Sequence, residues 1–223
     1  LTGRGGLDKM EYRTDVPVPF PKKNEVLIRI AAAGVNNTDI NTRIGWYSKS
    51  VTSDTNRGGE KGLTEAKDDD GSWSGTPLKF PRIQGADVCG HIVSVGSDVD
   101  SSRIGERVIV RTMQTDPDNP NSLSCWTMGS ECNGAFAQYT AIRSSETFKI
   151  DSNWSDAELA SLPCAYSTAE GLLHRSKTGA EEIFITGSSG GVGSAAIQLA
   201  KIRGARVTAQ CSSTKQEQVK KIG

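Results

Sequence analysis

One glycine-rich segment constrains the fold of this chain more than any other sequence feature. It is Gly187 to Gly193 (GSSGGVG), which directly follows the continuous apolar run Glu182 to Thr186 (EIFIT). Such a run is typical of a strand buried in a parallel sheet. A helix is predicted from Ser194 to Arg203, and a second strand from Arg206 to Gln210 (RVTAQ). A strand, a glycine loop, a helix and another strand in this order predict the first part of a doubly wound, nucleotide-binding sheet.

The glycine loop has the chemistry of a phosphate-binding turn. Gly190 allows a tight turn and lets the backbone approach a pyrophosphate, and Gly193 lets the helix pack close to the strand. The helix N-terminus adds unpaired N–H groups and a partial positive charge. Ser188 replaces one glycine of the common GxGxxG pattern, and a tight turn in an unrelated α/β fold is the alternative interpretation. The predicted cofactor-binding residues of this loop are Ser188, Ser189, Gly190, Gly191, Val192 and Gly193.

The end of the second strand favours NADP over NAD. Sites that prefer NAD have an acidic residue about 20 residues after the glycine loop, and this residue binds the ribose 2′-hydroxyl. Here Gln210 to Lys215 (QCSSTK) contains no acid, and the first one is Glu217. A carboxylate repels a 2′-phosphate, whereas hydroxyls and a lysine accept it. We therefore predict that Ser212, Ser213 and Lys215 bind the 2′-phosphate of NADPH. The alternative for Lys215 is a solvated residue in the first turn of the next helix.

The N-terminal part of the chain, residues 1–150, has the pattern of a small antiparallel β domain. Apolar residues alternate with polar ones in Glu25 to Ala33, Val88 to Val95, Arg107 to Arg111 and Ala135 to Tyr139. This alternation is typical of half-buried strands. Glycines punctuate these strands as turn or bulge sites. The pattern predicts an antiparallel, barrel-like domain.

A polar insertion, Ser48 to Thr76, interrupts this domain. It is rich in glycine, carries the acidic run Asp68 to Asp70, and has almost no apolar residues besides Val51, Leu63 and Trp73. Long loops of this kind are usually lids or disordered segments. Few apolar groups offset the entropy of ordering it, so we expect poor order with Trp73 as its one anchor. A flexible linker is the alternative to a lid.

Residues 151–223 form the C-terminal part, which begins with helices. Ser155 and Glu158 make a capping box, and Pro163 ends the helix that follows. Ser167 and Glu170 repeat the box ahead of a second helix. The strands and the glycine loop come next and make only the first βαβ part of a sheet that normally has about six strands. We therefore expect the sequence to be part of a longer protein.

Composition argues against two classes of partner. The chain has 26 basic and 26 acidic residues, and it lacks a basic cluster that would favour nucleic acid. No apolar run approaches the ~18 residues of a membrane span. The five cysteines are scattered and include no CxxC pair, so we predict a reducing, cytoplasmic setting in which they are small, inert thiols.

Several segments together are specific for one superfamily. They are Ala33 to Asp39 (AGVNNTD), Gly45 to Tyr47 (GWY), Gly85 to Gly96, Ile104 to Val108, Gly134 to Tyr139, Thr168 to Ala169 and Gly187 to Gly193. Over essentially the whole chain, the sequence resembles the medium-chain dehydrogenase/reductase superfamily, in particular its zinc-independent quinone oxidoreductase branch. The resemblance implies an α/β plus β fold: a GroES-like barrel domain followed by a Rossmann domain. It also implies an active site in the cleft between them and a homodimer for the full-length protein.

Metal binding is not predicted. Zinc-dependent members of the superfamily have a cysteine where this chain has Asn36, and a His-Glu pair where it has Ala86 and Asp87. A catalytic zinc needs about three Cys, His or carboxylate ligands, so two ligand positions are lost. His91 and His174 are the only histidines in the sequence, and neither has a ligand partner at a usable spacing.

Without a metal, a hydrogen-bond donor must stabilise the charge that develops on the substrate oxygen. Such a donor suffices for a quinone or an α,β-unsaturated carbonyl. By resemblance, Tyr47 and Asn36 are the catalytic candidates, and Thr168 lies beside the nicotinamide. The alternatives are a hinge aromatic for Tyr47, a turn-stabilising side chain for Asn36 and an ordinary first-turn helix residue for Thr168.

Together these inferences predict an NADPH-dependent, metal-independent oxidoreductase that transfers hydride to a quinone or an α,β-unsaturated carbonyl. Two alternatives stay open: a nucleotide-binding protein of the same fold without significant turnover, and an alcohol-dehydrogenase-like enzyme of unknown substrate. Stoichiometric NADPH binding without consumption across a panel of quinones and enones favours the first alternative. The insertion departs from the usual quinone-reductase pattern, so the sequence does not name the substrate.

Overall fold

The computed structural model describes residues 1–119 and 125–223. The chain divides into two compact units, Leu1–Ser161 and Leu162–Gly223, and each has its own framework. The first unit extends past residue 150 because the short helix α2 (Asp156–Ala160) packs against two of its strands.

An antiparallel sheet is the framework of the first unit. The strands of this unit are β1 (Glu25–Ala32), β2 (Cys89–Val95), β3 (Arg107–Val110), β4 (Met113–Thr115), β5 (Cys125–Thr127), β6 (Tyr139–Arg143) and β7 (Thr147–Lys149). Five of them form one sheet in the order β6-β1-β2-β3-β7, with every neighbouring pair antiparallel. Strands β4 and β5 form a separate pair. Among the described residues the main sheet stays open, rather than closing into the predicted barrel.

Alternation along the strands builds the core of this unit. Successive side chains of a strand point to opposite faces, and every second residue is buried in β3 and in the first half of β1. The predicted alternating pattern is therefore confirmed in both strands. The buried cluster consists of Val26, Ile28, Val88, Ile92, Val108, Val110, Met128, Ala135 and Ile142.

The strand predicted at Ala135 to Tyr139 is wrong in its position. The strand begins only at its last residue, and residues 135–138 are irregular. A competing set of backbone hydrogen bonds is the reason. The N–H of Ala135 donates to Gly85 O at 3.0 Å, and the N–H of Phe136 donates to Gln84 O at 2.8 Å. These bonds hold the segment against a neighbouring loop and leave it outside the sheet.

The polar insertion, residues 48–76, is tied to the rest of the first unit at several points. Leu63 is buried, and its N–H donates to Ile44 O at 2.9 Å. The buried guanidinium of Arg43 donates to a backbone carbonyl of the insertion at 2.8 Å. The N–H of Trp73 donates to Ser130 Oγ at 3.2 Å. The expectation that Trp73 is the one anchor is therefore wrong, because backbone groups supply anchors that composition does not reveal.

The second unit has the predicted order of strand, glycine loop, helix and strand. Its elements are α3 (Pro163–Arg175), β8 (Glu182–Ile185), α4 (Gly191–Ile202), β9 (Arg206–Ala209) and α5 (Gln216–Ile222). Strands β8 and β9 pair in parallel. Buried alanines of α3 and α4 lie in one cluster, against which Ile185 packs.

Two details of the second unit differ from the sequence-based predictions. Helix α3 begins at Pro163, whose fixed φ suits the first helical position, so Ser167 and Glu170 lie inside the helix and not in a capping box. The apolar run Glu182 to Thr186 predicts a strand buried in a parallel sheet. Ile183 and Ile185 pack inward, whereas Phe184 on the other face is 63% exposed.

The helices are short. The longest in the described residues is α3, with 13 residues. None of the helices in that part of the chain is long and apolar enough to cross a membrane.

Candidate active site and nucleotide-binding loop

Helix α1 (Asn37–Ile44) positions the first candidate, Asn36. This residue is the N-cap, with extended backbone angles φ −121° and ψ 161°. Its N–H donates to Asp39 Oδ2 at 2.8 Å, as in a capping box. Gly45 ends the helix with φ +84°, a conformation that favours glycine. A cap residue, an acid three positions later and a glycine stop together mark one short helix.

The side chain of Asn36 is held by a buried carboxylate. Its Nδ2 donates to Asp87 Oδ2 at 2.8 Å, and Asp87 is only 1% exposed. The Oγ1 of Thr112 lies 2.9 Å from Ala86 O and 3.2 Å from the other carboxylate oxygen, and its one proton can be donated to either acceptor. A primary amide carries two N–H donors, so one serves Asp87 and the second can serve a substrate oxygen. The alternative interpretation, in which Asn36 only stabilises the local turn, explains its backbone hydrogen bond. It does not explain the long-range bond from its side chain to Asp87.

Asp39 belongs to this site, although the sequence did not single it out. One of its carboxylate oxygens accepts from the N–H of Asn36, and the other accepts from the N–H of Gly85 at 3.1 Å. Burial disfavours the charged form and raises the pKa of Asp39 to about 6, while these backbone bonds oppose the rise and the charge of Asp87 adds to it. Two buried carboxylates therefore lie next to Asn36. The sequence contains one indication of this role, because Asp39 lies three residues after the N-cap Asn36, where an acid is typical of a capping box.

Tyr47 reaches the same end of helix α1. Its hydroxyl donates to Thr38 Oγ1 at 2.8 Å, and Thr38 lies in the first turn of the helix that Asn36 caps. The ring is half-buried and makes edge-to-face contacts with Trp46 and Trp73. Hydroxyl protons rotate between partners, so Thr38 can donate to Tyr47 while Tyr47 donates onward. Both predicted catalytic side chains thus lie at the N-terminal turn of α1.

The donors around Asn36 do not fit a catalytic zinc. Asn36 and Asp87 offer one amide and one carboxylate, which are bonded to each other, whereas zinc takes about three Cys, His or carboxylate ligands. His91 lies on β2, and His174 lies in the last turn of α3. Over residues 1–119 and 125–223, no three or more Cys, His, Asp or Glu side chains are grouped so that they could hold a metal ion.

The glycine loop of the second unit turns tightly and lets helix α4 approach the end of β8. Gly187 has φ +60°, which glycine adopts without steric cost. A Cβ on Gly193 would lie 2.4 Å from Gly187 O, so this close approach of α4 requires glycine. A Cβ on Gly190 would meet nothing nearer than Gly187 O at 3.4 Å, so the chain leaves space there. The space lies at the N-terminus of α4, which has no side-chain cap.

The predicted loop residues divide into outward-facing and inward-facing groups. Ser189, Gly190 and Gly191 are exposed. Ser188 is fully buried, and its Oγ donates to Gln210 O at 2.7 Å. The Ser188 hydroxyl therefore joins the loop to the end of β9, and it does not face a ligand. The Val192 side chain packs against the alanine cluster of α3 and α4, which leaves its backbone N–H as the group that can meet a phosphate.

The residues predicted to bind a 2′-phosphate lie together after β9. Ser212, Ser213 and Lys215 are all exposed, and residues 213–215 form one 3-10 turn. Helix α5 begins at Gln216, so Lys215 precedes that helix and does not lie in its first turn. Thr168 is half-buried in the second turn of α3, so the first-turn alternative does not describe it.

A family match covers most of the first unit. Residues 22–152 match the alcohol dehydrogenase GroES-like domain. The chain therefore belongs to the family of GroES-like domains found in alcohol dehydrogenases. Its relatives place it in the quinone-oxidoreductase-like branch of the medium-chain dehydrogenase/reductase superfamily.

Three similar proteins illustrate this branch. The NADPH-dependent alkenal/one oxidoreductase of Arabidopsis thaliana, a chloroplastic protein by name, is 30% identical over 98% of this chain and 48% of its own length. The chloroplastic quinone-oxidoreductase homolog of Spinacia oleracea is 31% identical over 98% of this chain and 56% of its own length. The crystal structure of a Sinorhizobium meliloti 1021 protein, classed with the alcohol dehydrogenases, is 40% identical with a TM-score of 0.84 over 100% of this chain and 59% of its own. The chain spans about half the length of the curated relatives it matches.

Proposed function

We propose that the protein is an NADPH-dependent, metal-independent oxidoreductase that transfers a hydride to a quinone or an α,β-unsaturated carbonyl. The observation that carries this proposal is the presence of two hydrogen-bond donors, Asn36 and Tyr47, at the N-terminal turn of α1. Family membership supports the same reaction class. So do the names of two relatives, an alkenal/one oxidoreductase and a quinone-oxidoreductase homolog.

The two donors suit the electronic demand of this reaction. When bound, NADPH supplies the hydride. An electron pair of the conjugated acceptor moves onto its carbonyl oxygen, and donors already in place stabilise the charge there. Asp87 holds the amide of Asn36, and Thr38 holds the hydroxyl of Tyr47. Little reorganisation is then needed when the charge develops.

The second unit supports the choice of cofactor. The space in front of Gly190, at the uncapped N-terminus of α4, suits a pyrophosphate. Ser212, Ser213 and Lys215 offer hydroxyls and a cation to a 2′-phosphate, and no acid lies among residues 210–215. Thr168 is assigned beside the nicotinamide on the family resemblance.

Metal independence is proposed from the chemistry of the residues around Asn36. An amide and a carboxylate that bond to each other leave too few ligands for zinc. Quinones and enones are good acceptors, so hydrogen bonds suffice to activate them. The alcohol-dehydrogenase alternative requires a stronger activating group, and the residues around Asn36 offer fewer than the three ligands that a catalytic zinc needs.

The test is NADPH oxidation by the full-length protein across a panel of quinones, enones and alcohols, with elemental analysis of the same sample. We expect acceptor-dependent oxidation of NADPH and zinc well below one atom per chain. Stoichiometric, tightly held zinc with alcohol oxidation supports the alcohol-dehydrogenase alternative. Stoichiometric NADPH binding without turnover of any acceptor supports a nucleotide-binding protein without catalysis.

We also propose a cytoplasmic homodimer that acts on small molecules and has neither nucleic-acid nor membrane partners. Burial raises the pKa of the Cys89 thiol to about 11 and that of Cys132 to about 12. Both therefore stay protonated and unreactive, which suits inert thiols in a reducing compartment. Two relatives are chloroplastic by name, so cell fractionation tests the compartment and sedimentation tests the dimer.

A further inference from the structure

The aromatic cluster around Tyr47 contains a residue from the polar insertion. The rings of Tyr47 and Trp73 lie edge to face, with 4.7 Å between centroids and 90° between planes. The rings of Trp46 and Tyr47 also lie edge to face, with 5.7 Å between centroids and 72° between planes. Both indoles keep a large exposed area, 37% for Trp46 and 40% for Trp73. Aromatic surface therefore remains open to solvent on two residues beside a proposed catalytic hydroxyl.

The position of Trp73 is fixed by polar contacts on both sides of its backbone. The N–H of Trp73 donates to Ser130 Oγ, and Ser130 is 1% exposed. The N–H of Ser74 donates to Glu131 Oε1 at 2.8 Å. The buried Ser72 closes a tight turn, because its N–H donates to Thr76 O at 3.0 Å. These contacts hold Trp73, the one aromatic residue of the insertion, in place against Tyr47.

We propose that Trp73 is a specificity-determining residue: it forms an aromatic wall beside Tyr47 and selects planar ring acceptors, such as quinones, over small acyclic enones. This inference rests on the proposed function. It narrows the substrate class of the same site through a residue of the insertion.

Distance supports this role. Aromatic rings interact favourably at centroid separations of about 4.5–7 Å. The Tyr47 hydroxyl is attached to the ring that contacts Trp73 at 4.7 Å. In the proposal, an acceptor that takes a hydrogen bond from this hydroxyl extends a fused ring system toward the indole. A small acyclic enone is bound through the same oxygen but has no ring to extend toward Trp73.

The packing of Trp73 within the chain leaves part of its side chain uncovered. Leu63, another apolar residue of the insertion, is buried. Trp73 is held in place but keeps 40% of its surface exposed, so packing within the chain uses only part of the side chain. The remaining surface suits a planar ligand, because covering it removes apolar area from water.

The test compares Trp73→Leu with Trp73→Phe in the full-length enzyme at saturating NADPH. The acceptors are naphthoquinone and methyl vinyl ketone. We expect Trp73→Leu to lower kcat/KM for naphthoquinone about tenfold, mainly through KM, and to change the value for methyl vinyl ketone less than about twofold. Trp73→Phe should keep most of the naphthoquinone activity. Trp154→Leu, which removes an indole that is 52% exposed and outside the cluster, should change neither value.

Calorimetric binding of naphthoquinone without NADPH separates this inference from the proposed function. We expect Trp73→Leu to weaken this binding about tenfold and Trp154→Leu to leave it unchanged. If the wild type binds naphthoquinone through Trp73 but reduces neither acceptor, the proposed function fails, and with it the selection between acceptors, while the ring-binding role of Trp73 is retained. Equal loss for both acceptors, or unchanged naphthoquinone affinity in Trp73→Leu, overturns the inference.

Discussion

The side-chain amide of Asn36 donates a hydrogen bond to the buried carboxylate of Asp87, with 2.8 Å between Nδ2 and Oδ2. The bond joins the N-cap of α1 to the residues just before β2 and fixes how the amide is oriented. A charged acceptor makes such a bond roughly twice as strong as a neutral one. One amide N–H is therefore committed to the protein, and the other is the donor that the proposed reaction needs.

Replacing Asn36 tests this donor directly. Asn36→Ala should lower kcat about 10- to 1000-fold, because one donor to the developing oxyanion is lost, while the Kd for NADPH stays unchanged. It should also lower the free energy of unfolding by about 1–3 kcal/mol, since Asp87 loses a bond while buried. Steady-state kinetics and denaturant unfolding measure the two effects. Asn37→Ala, at an exposed neighbouring position, is the control. Normal kcat with reduced stability in Asn36→Ala would leave Asn36 a structural role only.

The Tyr47 hydroxyl is tested by Tyr47→Phe, which removes the hydroxyl and keeps the ring against Trp73. We expect kcat to fall about 10- to 1000-fold with little change in NADPH binding. Tyr12→Phe is the matched control, because Tyr12 is 95% exposed. An unchanged kcat in Tyr47→Phe removes the hydroxyl from the mechanism and leaves Tyr47 as a hinge aromatic.

The cofactor preference is tested by the ratio of the dissociation constants for NADH and NADPH. A charged contact to the 2′-phosphate is worth about 1.5–3 kcal/mol, which is roughly a ten- to hundredfold preference for NADPH. Lys215→Ala should remove most of this preference, because it weakens the binding of NADPH and leaves the binding of NADH unchanged. The control is Lys221→Ala, at an exposed position in α5. Equal affinities for the two cofactors in the wild type contradict the prediction.

Two glycines in helices should respond to alanine in opposite ways. Gly193→Ala places a Cβ 2.4 Å from Gly187 O, and the resulting overpacking should destabilise the protein by about 1–3 kcal/mol and weaken NADPH binding. Gly171→Ala is the matched control within α3, because its Cβ would meet nothing within 4 Å. It should stabilise the protein by about 0.5–1 kcal/mol. Thermal unfolding and NADPH titration measure both variants, and a Gly193→Ala protein as stable as the wild type refutes the close approach.

Asp39 should make a pH-dependent contribution to stability that is opposite to that of most acids. Its pKa is raised from 3.8 to about 6 in the folded protein, so the folded state binds the proton more tightly than the unfolded state. The stabilisation is complete below about pH 4 and is lost as the pH rises through about 6, with a total change of roughly 3 kcal/mol. By contrast, the hydrogen bond from Arg107 lowers the pKa of Asp156, so that group contributes stability that is lost as the pH falls.

The measurement compares the wild type with Asp39→Asn by denaturant unfolding between pH 4 and 8. The difference in unfolding free energy, wild type minus variant, should decrease as the pH rises, because titratable groups that do not interact with Asp39 cancel in the comparison. In Asp39→Asn, the N–H groups of Asn36 and Gly85 no longer share a carboxylate with two acceptor oxygens. This loss adds a constant to the difference in unfolding free energy, and the constant does not depend on pH. A difference that is constant over this range shows that the pKa of Asp39 is not raised.

Local sequence signals were sufficient for several elements of the fold. The strands on either side of the glycine loop, the capping box at Ser155 and the alternation in the first half of β1 appear as predicted, whereas helix α4 begins at Gly191 and not at Ser194. Each depends on residues close together in the chain, such as a cap and the acid three positions later. The strand expected at 135–139 failed for the converse reason. Its backbone bonds to Gln84 and Gly85, some fifty residues earlier, and nothing local in the sequence records that competition.

The same distinction between local and long-range interactions applies to the candidate site. The sequence by itself determined which residue types stand at the α1 turn and in the glycine loop, and hence the chemistry they offer. Only the tertiary structure decided that Asp87 orients Asn36, that Trp73 of the insertion packs on Tyr47, and that the Ser188 hydroxyl is used within the protein. The physical reason is that side-chain hydrogen bonds and ring contacts join segments far apart in the chain, and their geometry exists only once the chain has packed.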